Sequence, residues 1–252
     1  MTEAYVKKEL HQGITTIEFF HPQSNSLPGK ILGELATAIA QAGQDPNTRV
    51  IILRSAGEKA FCAGASFDEL VAISNKEDGL KFFSGFANVI NAMRVCPKFI
   101  IGRIQGRCVG GGVGLAASVD YAIAADGAEI KLSELAVGIG PFVVGPAVER
   151  KIGNSAFSQL AIDATMWRNA DWAKRKGLFA ELHPTIDEMD ESIRKLANTL
   201  SQSSPEAMAE IKKISWEGTA HWDHLLIERA AISGRLVLSD FTRKAIDTFK
   251  KK

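Results

Sequence analysis

The chain of 252 residues is 46% hydrophobic and 23% charged, near the average for soluble globular proteins, which argues against a disordered chain and against a membrane class. Thirty Lys and Arg against 29 Asp and Glu leave a formal charge of +1, so there is no broad positive field to gather nucleic acid. Cys62, Cys96 and Cys108 lie far apart, with no CxxC pair and no histidine at ligand spacing; they read as small buried hydrophobes in a reducing compartment, and no metal site is expected.

The N-terminal MTEAYVKKELHQG has no apolar h-region, and no apolar run approaches the ~20 residues that cross a bilayer, so a cytoplasmic location without a membrane partner is expected. Alternation in YVKKEL and ITTIEFF around His11-Gln12-Gly13 predicts two strands and a short turn. After HPQSNSLPG, the apolar residues Ile31, Leu32, Leu35, Ile39 and Ala40 recur at helical spacing as far as Asp45-Pro46, and Val50 to Ser55 reads as a buried strand. AGEKAFCAGASFDEL is a loop of small residues entering a short helix at Ser66 or Phe67. A longer helix, Gly79 to Arg94, precedes the strand FIIGRIQ.

Next comes GRCVGGGVGLAASVD, Gly106 to Asp120, with a helix predicted over Gly111 to Ser118, then the strand DYAIAA and a strand-like run EIKLSE ending at Glu134. PFVVGPAVERKIG, SAFSQLAIDA and NADWAKRKG read as short helices, LFAEL as one more strand, and Asp187 to Lys252 as helices with a hinge at Ser201 to Pro205. Strands first and helices last predict an α/β core over 1–190, built on a parallel sheet, and a helical C-terminal region over 191–252.

Three readings compete for the glycine stretch. Gly112-Val113-Gly114-Leu115-Ala116-Ala117 fits the dinucleotide pattern G-x-G-x-x-A, with Glu134 twenty residues past Gly114. That pattern needs its glycines at the strand-to-helix turn and its acid on the very next strand, whereas Gly106 to Gly111 and the strand DYAIAA intervene, so no nicotinamide cofactor is expected. No window reads G-x-S-x-G, and His11, His21, His183, His221 and His224 have no Ser and Asp framework, which sets aside a serine hydrolase. In the third reading the glycines expose backbone N–H donors at a helix start, and AFCAGAS, Ala60 to Ser66, supplies the other half of an oxyanion hole. The plain alternative is a pair of tight connections.

AFCAGASFDEL, IQGRCVGGGVGLAASVDYAIAA and KLSELAVGIGP together resemble the crotonase, or enoyl-CoA hydratase/isomerase, superfamily, and the resemblance extends from the N-terminal hairpin to SDFTRKAIDTF. It implies a spiral of ββα units with a helical C-terminal region that assembles homotrimers, often paired as hexamers. It implies an acyl-CoA thioester as substrate, with coenzyme A part of that substrate and no separate cofactor. The donors to the thioester oxygen are then the N–H groups of Ala65 and Gly111, and Ala63, Ser66, Phe67 and Asp68 lie along the substrate. Lys30, Lys59 and Lys98 are candidates for the CoA phosphates, and pocket walls come from Val71 to Phe86 and the C-terminal helices.

Hydratases of the family carry two glutamates; here the first position is Gly114 and the second is Glu134. A single acid suits a proton shuttle, so the expectation is an isomerase that moves a 3-enoyl-CoA double bond to the 2-position with Glu134 as acid and base. The GGGVGL form also resembles members assigned to methylglutaconyl-type hydration, and a non-catalytic acyl-CoA-binding protein is the third possibility. Phe142 stands where a dienoyl-CoA isomerase has a further acid, which sets that subgroup aside, and Asp68 and Glu69 read as first-turn carboxylates rather than replacements for the lost acid.

Overall fold

The computed structural model describes residues 3–250. The chain opens with an antiparallel hairpin, β1 (Tyr5–His11) and β2 (Ile14–Phe20), whose connecting Gln12 and Gly13 both take positive φ, as a two-residue turn matched to strand twist requires. There follow β3 (Ser26–Leu27), α1 (Gly29–Gln44), β4 (Val50–Ser55), β5 (Ala60–Cys62), β6 (Gly64–Ala65), α2 (Phe67–Ala72) and α3 (Lys76–Val95). The glycine region contributes β7 (Phe99–Ile104), β8 (Arg107–Val109) and α4 (Gly111–Ser118), and then come β9 (Tyr121–Ala125), β10 (Glu129–Lys131) and a 3-10 turn at Leu135–Val137. The rest is α5 (Gly145–Ile162), β11 (Arg168–Asn169), α6 (Ala170–Arg175), β12 (Glu181–His183), α7 (Ile186–Ser201), α8 (Pro205–Ser215), α9 (Trp222–Leu236) and α10 (Asp240–Lys250).

A six-stranded sheet has the order β1-β2-β4-β7-β9-β12 and is parallel except at the hairpin. A second sheet runs β11-β10-β8-β5, and β3 pairs with β6 alone. Each of β4, β7 and β9 lies in the large sheet and is followed by a strand of the second sheet and then a helix. This is the ββα spiral expected from the resemblance. One core fills the space between the sheets and α1, α3, α4 and α9. A smaller one lies where Met189, Ile193 and Ala197 of α7 cover Val50, Ile101 and Ile123 on the other face of the large sheet, so α7 runs across position 190 while packed on strands.

Several boundaries differ from the sequence expectation, each for a local reason. α3 starts at Lys76 rather than Gly79, because the Asn75 side chain accepts the Asp78 amide and caps it. Gly79 is instead a helix crossing: a Cβ there would stand 2.7 Å from the Gly234 Cα of α9. EIKLSE leaves the ladder after Lys131, and Glu134 already has helical dihedrals, so it opens a 3-10 turn rather than ending a strand. In LFAEL, buried Leu178 and Phe179 fold over the end of α6, where Leu178 N–H donates to the Ala173 carbonyl, and pairing begins only at Glu181. The two helices read in 141–164 form one run broken at Gly153, whose φ is 77°. SQSSP is the short link between α7 and α8.

Candidate active site

The two small-residue loops meet because β5 and β8 pair in parallel, with Cys62 opposite Cys108. Glycine is required where they touch: a Cβ on Gly112 would lie 2.2 Å from the Cys62 carbonyl oxygen. One on Gly64, whose φ is +94°, would lie 3.0 Å from the Val109 oxygen and 3.7 Å from the Gly111 nitrogen. Ser66 N–H donates to the Leu27 carbonyl across to β3, so the preceding Ala65 N–H, alternating along the chain, points away from that strand. Gly111 is the first residue of α4 and its N–H has no acceptor within the helix. Thus two loops distant in sequence bring two donors of the same kind to one place.

A cavity of about 690 Å³ opens beside them. Ala63, Ala65, Phe67, Asp68, Gly111 and Glu134 all line it, as do Phe82, Phe83 and Phe86 of α3 and Ser233 of α9. Ser66, expected along the substrate, is not in the wall; it is buried and its hydroxyl accepts the Glu69 amide as the cap of α2. Lys30, Lys59 and Lys98 do not reach the wall either: Lys30 is extended in solvent beside Glu34, and Lys98 offers its carbonyl to Lys212. The lysine that does line the cavity is Lys131. It and Trp167 escape sequence reading because the antiparallel register of β10 and β11, not proximity in the chain, joins them.

Glu134 stands over Gly110: a Cβ on that glycine would be 3.0 Å from Glu134 Oε1. Its Oε2 is sealed from solvent and has no hydrogen-bond partner among the described residues. Loss of solvation penalises the charged form and pushes the carboxyl up to about 7, against a smaller opposing hydrogen bond from its own backbone. Such a group can take and return a proton near neutral pH. The turn that holds it is closed by Gly138, with φ of 80°, and α10 covers that glycine through Phe241 and Thr242.

The family profile for enoyl-CoA hydratase/isomerase matches residues 9–244. The chain belongs to this family. A carnitinyl-CoA dehydratase of Escherichia coli K12 is 30% identical over 205 residues, 80% of this chain and 76% of that protein. A (7aS)-7a-methyl-1,5-dioxo-2,3,5,6,7,7a-hexahydro-1H-indene-carboxyl-CoA hydrolase of Rhodococcus jostii is 35% identical over 123 residues, so this chain spans about half of that relative's length, 47%. The crystal structure of an enoyl-CoA hydratase from Bacillus halodurans superposes with a TM-score of 0.88 at 21% identity, covering 97% of this chain and 99% of that one, and so shares its fold.

The backbone of α4 is closely walled in at Gly114. A Cβ there would lie 2.5 Å from Val144 Cγ1 and 2.8 Å from its Cβ, so Val144 occupies the space into which any side chain at 114 would grow. The other carboxylates near the cavity are engaged elsewhere. Asp68 accepts from Gln23 at 3.2 Å in an exposed setting, and Glu69 accepts the Gly29 amide at 2.8 Å, serving the uncapped start of α1. Glu134 and Asp68 are the only carboxylates in the described cavity wall, and of the two only Glu134 is withdrawn from water.

Proposed function

We propose that this acyl-CoA enzyme shifts the double bond of a 3-enoyl-CoA to the 2-position. The observation that carries the reading is a carboxylate beside the donor loop, Glu134, with one oxygen sealed from solvent, and Val144 filling the place from which a second acid would project. The thioester oxygen accepts from the N–H groups of Ala65 and Gly111, and the acyl chain lies along Phe86 with Ala63, Phe67 and Asp68 toward the CoA side. A proton α to a thioester is weakly acidic, and removing it leaves an enolate whose charge collects on that oxygen. Each oriented donor is worth roughly 3–4 kcal/mol to such a charge. Glu134 takes the proton from C2, the electron pair spreads to C4, and the same carboxyl returns the proton there, giving the conjugated thioester. Atoms balance without water or a further cofactor.

The test is a panel of 3-enoyl and 2-enoyl thioesters, following the ultraviolet absorbance of the conjugated product and its loss on hydration. The expected result is isomerisation of 3-enoyl-CoA, with water addition to 2-enoyl-CoA slower by far. Faster hydration than isomerisation overturns the reading in favour of a hydratase, and binding without turnover favours a non-catalytic acyl-CoA protein. For assembly we favour a homotrimer or a pair of trimers. Exposed Ile211 and Ile214 on α8 and Phe241 on α10 suit such contacts, and a solution mass equal to one 27.2 kDa chain rejects it.

A further inference from the structure

One charge in the cavity wall has no part in the proton shuttle. Lys131 is the single basic residue among the cavity's described lining residues, and among the described residues it makes no ion pair. Pairing of Glu129 with Asn169 and Ile130 with Arg168 sets the next positions, 131 and 167, against each other, and Lys131 Nζ stands 4.5 Å from the centre of the Trp167 ring. Arg107 approaches the same ring at 5.0 Å, but its charge is answered by Glu129 at 2.9 Å. The Lys131 charge has only the ring face, which steadies an ammonium without satisfying its three N–H donors.

Among the described residues no ion pair joins Lys131 to Glu134, whose Oε2 has no hydrogen-bond partner there. The two groups therefore address different parts of a ligand. In a wall otherwise dominated by aliphatic and aromatic residues, a half-buried ammonium without a counter-charge is matched best by an anion that arrives with the ligand. Its place narrows the choice of anion. The Lys131 carbonyl accepts the Gly110 amide at 2.9 Å, next to the donor Gly111, so the side chain starts beside the reacting end of the thioester. The phosphates of CoA lie a whole pantetheine arm away from that end, whereas the tail of a short acyl chain is close to it.

We infer that Lys131, held on Trp167, receives a carboxylate at the far end of the acyl chain, so that the preferred substrates are mono-thioesters of unsaturated dicarboxylic acids. The inference rests on the acyl-CoA reading above but not on isomerisation. It is tested by calorimetric binding of adipoyl-CoA and hexanoyl-CoA, saturated thioesters that differ in the terminal carboxylate and cannot be turned over by double-bond migration. Adipoyl-CoA is expected to bind the native protein about tenfold more tightly, as a charge-assisted hydrogen bond implies. K131M and K131Q are expected to lose that preference while keeping hexanoyl-CoA affinity and thermal stability, and K131R to retain most of it. Equal weakening of both thioesters by K131M places the ammonium on a CoA phosphate and overturns the inference, as does an unchanged preference. If neither thioester binds the native protein, the acyl-CoA reading itself has failed, and this inference falls with it.

Discussion

Two carboxylates bracket the glycine helix α4 and are treated in opposite ways. Beyond its C-terminal end, Asp120 accepts from the Ile100 amide at 2.8 Å, the Lys212 ammonium at 2.8 Å and the Trp216 indole at 3.2 Å. Lys212 is 2% exposed and also donates to the Lys98 carbonyl, so this cluster pins α8 to the sheet. At the N-terminal end Glu134 has an oxygen sealed from water and without a partner among the described residues. A carboxylate ringed by donors is spent on holding structure; one stripped of donors keeps its proton affinity high and is available for transfer.

The largest effect is expected at Glu134. E134Q keeps the shape of the site and removes the carboxylate proposed as the base, and turnover of a 3-enoyl-CoA is expected to fall about 10²–10⁴-fold, read from initial rates. Native activity should rise with pH through about 7 as the carboxyl ionises. Stability should move the other way. The folded state binds this proton more tightly than the unfolded chain, whose ordinary value is 4.5. The group's contribution is therefore full below 4.5 and declines as pH climbs to about 7, by on the order of 3 kcal/mol. Denaturant melts of both proteins from pH 4.5 to 8 should show E134Q gaining on the native enzyme as pH rises; a constant gap contradicts the burial account.

D120N tests the other end. It leaves the buried Lys212 without its counter-charge, and a loss of about 3–5 kcal/mol is expected, visible as a lower thermal midpoint while the site chemistry of the folded fraction is kept. Between the two ends lies Gly114. G114A drives a methyl into Val144 and should cost roughly 1–3 kcal/mol, and adding V144A should recover most of it in the same melt. The smallest effect is expected of D68N, which alters an exposed carboxylate bonded to Gln23; a change in turnover beyond about twofold makes Asp68 part of the acid-base chemistry and ends the contrast with Glu134.

Much of this was legible before folding because it depends on short spans. The bounds of α4, the cap at Ser66 and the hairpin at Gln12-Gly13 follow from residues within a few positions of one another, and the structure has them where local chemistry puts them. The expectation failed where another contact claims the residue, near in sequence for Leu178 and distant for Gly79. Gly79 looked like a helix start and is a crossing with Gly234, and Leu178 and Phe179 looked like strand residues and cover a helix end.

The drift from strands to helices along the chain, the two small-residue loops and the single acid after the glycine run are carried by residue type and spacing along one stretch of chain, whereas the ββα order is what the crotonase resemblance implies. Only the tertiary structure decided which groups face the cavity and in what solvent. Glu134 closes against the backbone at Gly110, Gly114 is walled in by Val144, and Lys131 meets Trp167 through strand register. Burial and counter-charge are properties of assembled surfaces, and no residue carries them by itself.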